Sequence, residues 1–324
     1  MLRAALTLTV LVGGCAAERA VAVPVEPTQP LAPVEVIVTN SVEGAPRELV
    51  RQKNFVIDFG DHALEVDPAD GGRILGFSLK GRSVIVSRQE SPEAYGSSFW
   101  PSPQSDWNWP PPAAFDKSAW NAAIDGNVLR LTSATDNKLG LSGEQRIWAE
   151  PATGSVVIEH TIVNRGTAVR RVAPWQNTRV RPGGLTFFPS TASPLPDSPL
   201  KLPTEAGIVW FKHDPAAFKQ GIKGFSDGAE GWLAHVDGDL LLVKVFSDVP
   251  RAAQAPKEAE IEIYVDGAGR FVEVEQQGAY AELAAGASST WPVRWLLRKL
   301  PSDVSPEPRN PKLVELARTL AAAK

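Results

Sequence analysis

From Phe55 to Leu300 the dominant hydrophobic period of the chain is two, and this limits what it folds into more than any other feature. Runs such as Phe55-Val-Ile-Asp-Phe59, Arg73-Ile-Leu-Gly-Phe-Ser-Leu79 and Ser83-Val-Ile-Val86 are rich in β-branched and aromatic residues, as is Val128-Leu-Arg-Leu131. The pattern continues through Ser155–Val163, Gly231–Val236, Asp239–Phe246, Glu260–Val265, Arg270–Glu275 and Trp291–Leu297. Successive strand side chains point to opposite faces, so alternation of this kind builds half-buried strands. The pairs Asp125-Gly126, Asp237-Gly238 and Asp266-Gly267 supply hairpin turns. Between Phe55 and Leu300 no segment keeps helical spacing over three turns. The expected class is therefore all-β: one large antiparallel sandwich of two sheets over residues 54–300, with two smaller sandwiches as the alternative. A propeller would need a blade-length repeat, and the chain has none. Residues 301–324 read as a Pro-rich linker followed by a short C-terminal amphipathic helix, with Leu313, Leu316, Ala317 and Leu320 on its apolar stripe.

The N-terminus carries a different message. Met1-Leu2-Arg3 gives a short positive start, and Ala4–Val12 is an unbroken run of apolar residues and threonine. Gly13-Gly14 and Cys15 follow. This is the layout of a secretory signal peptide at residues 1–14, too short for the roughly 20 apolar residues of a membrane-spanning helix. Val12-Gly-Gly-Cys15 resembles the lipobox of bacterial lipoproteins, which implies lipidation of Cys15. By the same resemblance, Ala16 rather than Asp at the next position implies a lipid anchor in the outer membrane, facing the periplasm. A plain secretory peptide with an incidental Cys is the alternative. Residues 15–53, spaced by Pro24, Pro27, Pro30, Pro33 and Pro46, read as an extended tether. Its Val34–Val38 part would instead suit an edge strand.

Composition narrows the partners. Lys and Arg number 33 against 37 Asp and Glu, a formal charge of −4, so no basic excess exists to neutralise a nucleic-acid backbone. A single Cys makes no internal disulfide, and no Cys/His cluster has zinc spacing. No metal, cofactor or phosphate-binding loop is expected, and no Gly-x-Ser-x-Gly elbow announces a nucleophilic serine.

The most unusual stretch is Tyr95–Pro112, which holds Trp100, Trp107 and Trp109 among five prolines. Those prolines exclude a central strand and stiffen a loop. Rigid indoles beside Gln104, Asp106 and Asn108 suit a sugar, whose apolar face stacks on rings while amides and carboxylates take its hydroxyls. A loop that folds its Trp residues into the core is the competing reading, favoured for Trp120.

Several segments resemble a bacterial family of unknown function within the galactose mutarotase-like (aldose 1-epimerase-like) superfamily. They are Gly71–Leu79, Gly96–Gln104, Trp107–Pro111, Ala173–Val180 with Gly183-Gly184, Lys223-Gly224, Gly231–Ala234 and Phe271–Gly278, with Leu283, Gly286 and Trp295 beyond. The resemblance spans about residues 53–300. It implies a many-stranded β-supersandwich whose concave sheet faces a carbohydrate. In the mutarotase enzymes a late-strand Glu is the general base, and by this resemblance Glu275 takes that place and Gln277 a neighbouring one. Period two puts Glu273 on the face of Glu275, where repulsion between carboxylates would raise the pKa of one. The His that serves the enzymes as acid has no counterpart in Pro174-Trp-Gln-Asn-Thr178. Gln176 and Asn177 hydrogen-bond but deliver no proton near neutral pH.

The expected site therefore holds Glu275 and Glu273 as candidate catalytic carboxylates. Its expected binding residues are Trp100, Gln104, Trp107, Trp109, Trp175, Gln176, Asn177, Arg179, Lys223 and Gln277. Three functions stay open: an exported lipoprotein that binds carbohydrate, a sugar epimerase or other carbohydrate-processing enzyme using Glu275 as base, and a structural or interaction protein of the cell envelope.

Overall fold

The computed structural model describes residues 42–49, 53–191, 195 and 198–323. The signal peptide, Cys15 and nearly all of the tether lie outside the described residues. The tether's last described part behaves as sheet: Pro46–Leu49 pairs antiparallel with Asn54–Phe59, so the β structure begins upstream of residue 54.

The alternating runs form two antiparallel sheets, as the period demanded. The first has eleven strands among the described residues. Its path is Pro46–Leu49, Asn54–Phe59, His62–Asp67, Arg73–Leu79, Ser97–Ser102, Arg170–Val180, Val272–Gln277, Ile261–Val265 and Ile222–Ser226, with two short strands pairing off it. The second has ten, centred on Trp232–Asp237, Leu240–Val245, Ser288–Lys299, Ser155–Asn164 and Leu141–Glu150. Ile57, Leu64, Phe77, Phe99 and Val274 from the first sheet meet Ile158, Ile162, Val293, Trp295 and Leu242 from the second in the main core. Burying one such large side chain contributes about 1.5–3 kcal/mol, so a core this size accounts for the stability of the sandwich.

The second sheet is apolar on both faces. Leu240 and Leu242 face the first sheet, while Leu241 and Val243 point outward with Phe187, Trp210 and Trp232. That outer face is covered by the helix Pro311–Ala322 through Leu313, Val314 and Ala317. Asn310 caps the helix by accepting the Lys312 N–H at 3.0 Å, and Pro311 stands at the first position, where its missing donor costs nothing. Among the described residues no helix is long and apolar enough to cross a membrane.

Candidate functional site

Three neighbouring strands of the first sheet place the site. Arg170–Val180 lies between Ser97–Ser102 and Val272–Gln277, in a register that aligns Trp175 with Trp100 and Gln277, and Asn177 with Ser98 and Glu275. Arg179 aligns with Glu273 in the same ladder. By period two these residues share the face turned away from the second sheet. Gly96 opens the Ser97–Ser102 strand with a φ of +67°, and a Cβ there would lie 2.5 Å from the Ile74 carbonyl oxygen. Only glycine fits that approach.

On this outer face Trp175 donates its indole N–H to Glu275 Oε2 at 2.8 Å. Lys223, from the adjacent edge of the sheet, donates to the same oxygen at 3.2 Å and to Glu262 Oε2 at 2.6 Å, with its ammonium 4.6 Å from the Trp175 ring centre. Trp100 meets Trp175 edge-on with centroids 5.5 Å apart, and Trp107 lies 6.3 Å from Trp175. Trp107 is pinned by its N–H to the Pro101 carbonyl, and Trp100 by its N–H to Asp116. Pro101 does not exclude a strand here: Ser97–Ser102 lies inside the sheet, with Pro101 opposite Pro174, where neither has an N–H to give, and with its other edge paired only at Ser97. Residues 103–112 roof the face, their path stiffened by proline.

Most of the anticipated residues converge, but they are closed off from solvent. Trp100, Trp107, Trp175 and Glu275 keep 3, 7, 1 and 0% of their surface exposed. The Lys223 side chain retains 21%, and Trp109, edge-on to Trp100, is 70% exposed. Gln104 reaches the site through its backbone, whose N–H donates to Glu258 Oε1 at 2.9 Å. Gln277 is on the right face with both amide atoms engaged, accepting from Ser102 Oγ and donating to Glu262 Oε1. Arg179 is buried and engaged, its Nε to Glu273 at 3.0 Å and an Nη to Ser98 at 2.7 Å, with its guanidinium over the Trp100 ring. Glu273 shares the face, as the alternation predicted, and is spoken for by that arginine.

Gln176 departs from expectation. Adjacent strand residues cannot share a face, and Gln176 points into the core between the sheets. There it bonds His160 Nε2 at 2.8 Å, accepts the Trp295 indole N–H at 3.0 Å and contacts Gln276. Trp120, favoured for the core, packs against Phe99 and Phe115.

Two observations distinguish this face from a satisfied polar cluster. Asn177 is fully buried, and neither atom of its amide has a hydrogen-bond partner; nor does Glu275 Oε1. Buried polar groups are nearly always paired, and each exception needs a reason. Burial pushes the Glu275 carboxyl well above the ordinary carboxylate range, with Glu273 and Glu262 adding to the rise and Lys223 opposing it. The upward direction anticipated from carboxylate repulsion holds, but burial is its main cause. Burial alone would lower Lys223; Glu262 and Glu275 outweigh it and hold the ammonium charged.

The sequence did not announce Glu258, Glu262, Ser98, Asp116 or Arg73, whose guanidinium donates to Ser98 Oγ at 2.8 Å and Asp116 Oδ1 at 3.0 Å. Glu262 was accessible in principle, since Glu-Ile-Glu-Ile alternates beside Val-Glu-Val-Glu and the register pairs Glu262 with Glu275. Glu258 precedes its strand and carried no signal. None of the four histidines bonds a group on this face: His62 meets the Leu297 carbonyl, His160 the core amide of Gln176, His213 the Gly183 N–H and His235 Thr186. Among the described residues no cluster of His, Cys, Asp and Glu has the makings of a metal site.

No protein-family model matches the chain, and no curated protein matches it in sequence. Solved structures do match in fold. The Slr1438 protein from Synechocystis sp. PCC 6803 aligns with a TM-score of 0.55 at 13% identity, over 81% of this chain and 100% of that one. A galactose mutarotase-like protein from Lactobacillus casei gives 0.54 at 10% identity, over 76% and 100%. Another from Clostridium acetobutylicum gives 0.53 at 11% identity, over 79% and 98%. The fold is that of the galactose mutarotase-like proteins: a large two-sheet antiparallel β-sandwich.

Proposed function

We propose that the outer face of the eleven-stranded sheet, beneath its Trp- and Pro-rich roof, is a carbohydrate-binding site of an exported, lipid-anchored protein. The observation that carries the reading is the unpartnered amide of buried Asn177 beside the unpartnered Glu275 Oε1, with three indoles around them. Donors and acceptors without partners, enclosed by flat apolar rings, match a pyranose ring with its hydroxyls. Galactose mutarotase-like structural neighbours support the same reading. Entry requires the roof to lift, beginning where Lys223 and Trp109 meet solvent.

The test is a glycan array followed by titration of the best hits. Asn177→Ala is expected to weaken binding tenfold or more while the far-ultraviolet circular dichroism stays unchanged. Binding that survives this change, or no binding to any glycan, would overturn the site. Anchoring is tested separately: Cys15→Ser should abolish incorporation of labelled fatty acid and move the protein from the membrane to the soluble fraction.

One feature favours a second, enzymatic reading. A carboxyl group raised by burial and held by Trp175 and Lys223 is placed as a general base would be. Interconversion of a sugar's α and β anomers faster than in buffer, lost in Glu275→Gln, would establish it; no turnover across aldoses and uronates would leave binding alone.

A further inference from the structure

The proposed site is rich in carboxyl groups and poor in donors. Glu262 and Glu275 both bond the single ammonium of Lys223, and Glu258, itself buried, adjoins Glu262. Arg179 bonds Glu273 and Ser98 and acts on Glu275 only through space. Three carboxyl groups thus share one cation in a space closed to water. Two acceptors in the same space, Glu275 Oε1 and Asn177 Oδ1, receive no donor.

Resting on the carbohydrate reading above, we propose that this site selects amino sugars, whose protonated amine takes the place left for a second cation. An ammonium group brings three donors and one positive charge. A neutral hexose supplies donors without the charge, an N-acetylated sugar one N–H without the charge, and a uronate sets a further carboxylate beside three carboxyl groups. Indole faces favour a nearby cation, as Lys223 over Trp175 already shows.

Proton uptake supports the idea. Burial and then the Glu262 carboxylate push Glu258 up to about 8, so it holds a proton at neutral pH. Glu262 accepts from the Ala259 N–H and Gln277 at its Oε1 and from Lys223 at its Oε2. Tyr264 on the same strand and Lys244 beneath the sheet complete the titratable surroundings. A bound ammonium stabilises the ionised carboxylate, so binding releases a proton from Glu258 or Glu275.

The experiment is titration calorimetry of the whole protein with glucosamine, galactosamine, their parent hexoses, N-acetylglucosamine and glucuronate, in two buffers of different ionisation enthalpy. The expected result is at least tenfold tighter binding of an amine than of its parent hexose, weakest binding of the uronate, and heats that reveal proton release only with the amine. Glu258→Gln should narrow the amine-to-hexose ratio to within about threefold. Should that variant fail to fold, the wild-type ratio measured across pH serves instead, and it should pass through a maximum, falling at low pH as the carboxyl groups take protons and at high pH as the amine loses its charge; a flat profile overturns the selectivity. Equal or tighter binding of the hexose overturns amine selectivity and leaves the carbohydrate site standing. Absence of binding by every sugar removes both.

Discussion

Position 244 holds a lysine with no exposed surface, its ammonium nitrogen between the sheets at 2.8 Å from Thr178 Oγ1 and 3.1 Å from the Val274 carbonyl. Burial lowers its pKa well below the ordinary 10.5, so the fold works against protonation. The sign follows: the unfolded chain binds the proton more readily, and stability is lost as pH falls below the unfolded value. Lys244→Met fills similar volume without a charge to desolvate, and Thr178 keeps Ser97 as a partner. The variant is expected to be more stable at neutral pH by about 1 kcal/mol or more. Urea unfolding should show that gap shrinking above roughly pH 10. His160 and His235, both lowered to about 3 chiefly by burial, act in the same direction lower on the scale. Between 6.5 and about 3 the unfolded chain takes up protons that these imidazoles refuse when folded, so urea midpoints should fall steadily across that window.

At the level of elements, the C-terminal helix and the Arg170–Val180 strand show what sequence periodicity can and cannot reveal. The helix was legible because Leu313, Leu316, Ala317 and Leu320 recur at helical spacing behind Pro311. What it covers was not, since the outward Leu241, Val243 and Trp232 look like any buried strand residues. Leu313→Ala should cost about 2–4 kcal/mol, because Leu313 is wholly buried against that face. Arg318→Ala, which breaks an exposed pair with Glu230, should cost under about 1 kcal/mol. Thermal unfolding of the two variants separates packing from surface charge, and equal losses would contradict the docking described. In the strand, Trp175 and Asn177 share the outer face, while Gln176 between them had to face the other way. Glu275 and Lys223 were legible through the resemblance. The carboxyl cluster was not, because Glu258 and Glu262 join the site through pairing between strands, which no local pattern records.

The whole molecule is assembled from distant pieces of chain. Trp175 bonds Glu275 across 100 positions, and Ser102 bonds Gln277 across 175. Contacts of such separation close long loops before any gain is realised, which slows folding. Refolding followed by stopped-flow fluorescence is expected to take from milliseconds to seconds, with intermediates usual for a chain of this length. Completion within microseconds would contradict the topology. One strand, Arg170–Val180, is at once the floor of the outer site and a wall of the core, for Trp175 and Asn177 look out while Gln176 holds the Trp295 indole inside. A guest settling on the outer side would press on that wall, and the indoles on its two sides, Trp175 outside and Trp295 within, would register its arrival in their fluorescence. The protein thus carries its own dye, placed where a probe from solution does not reach.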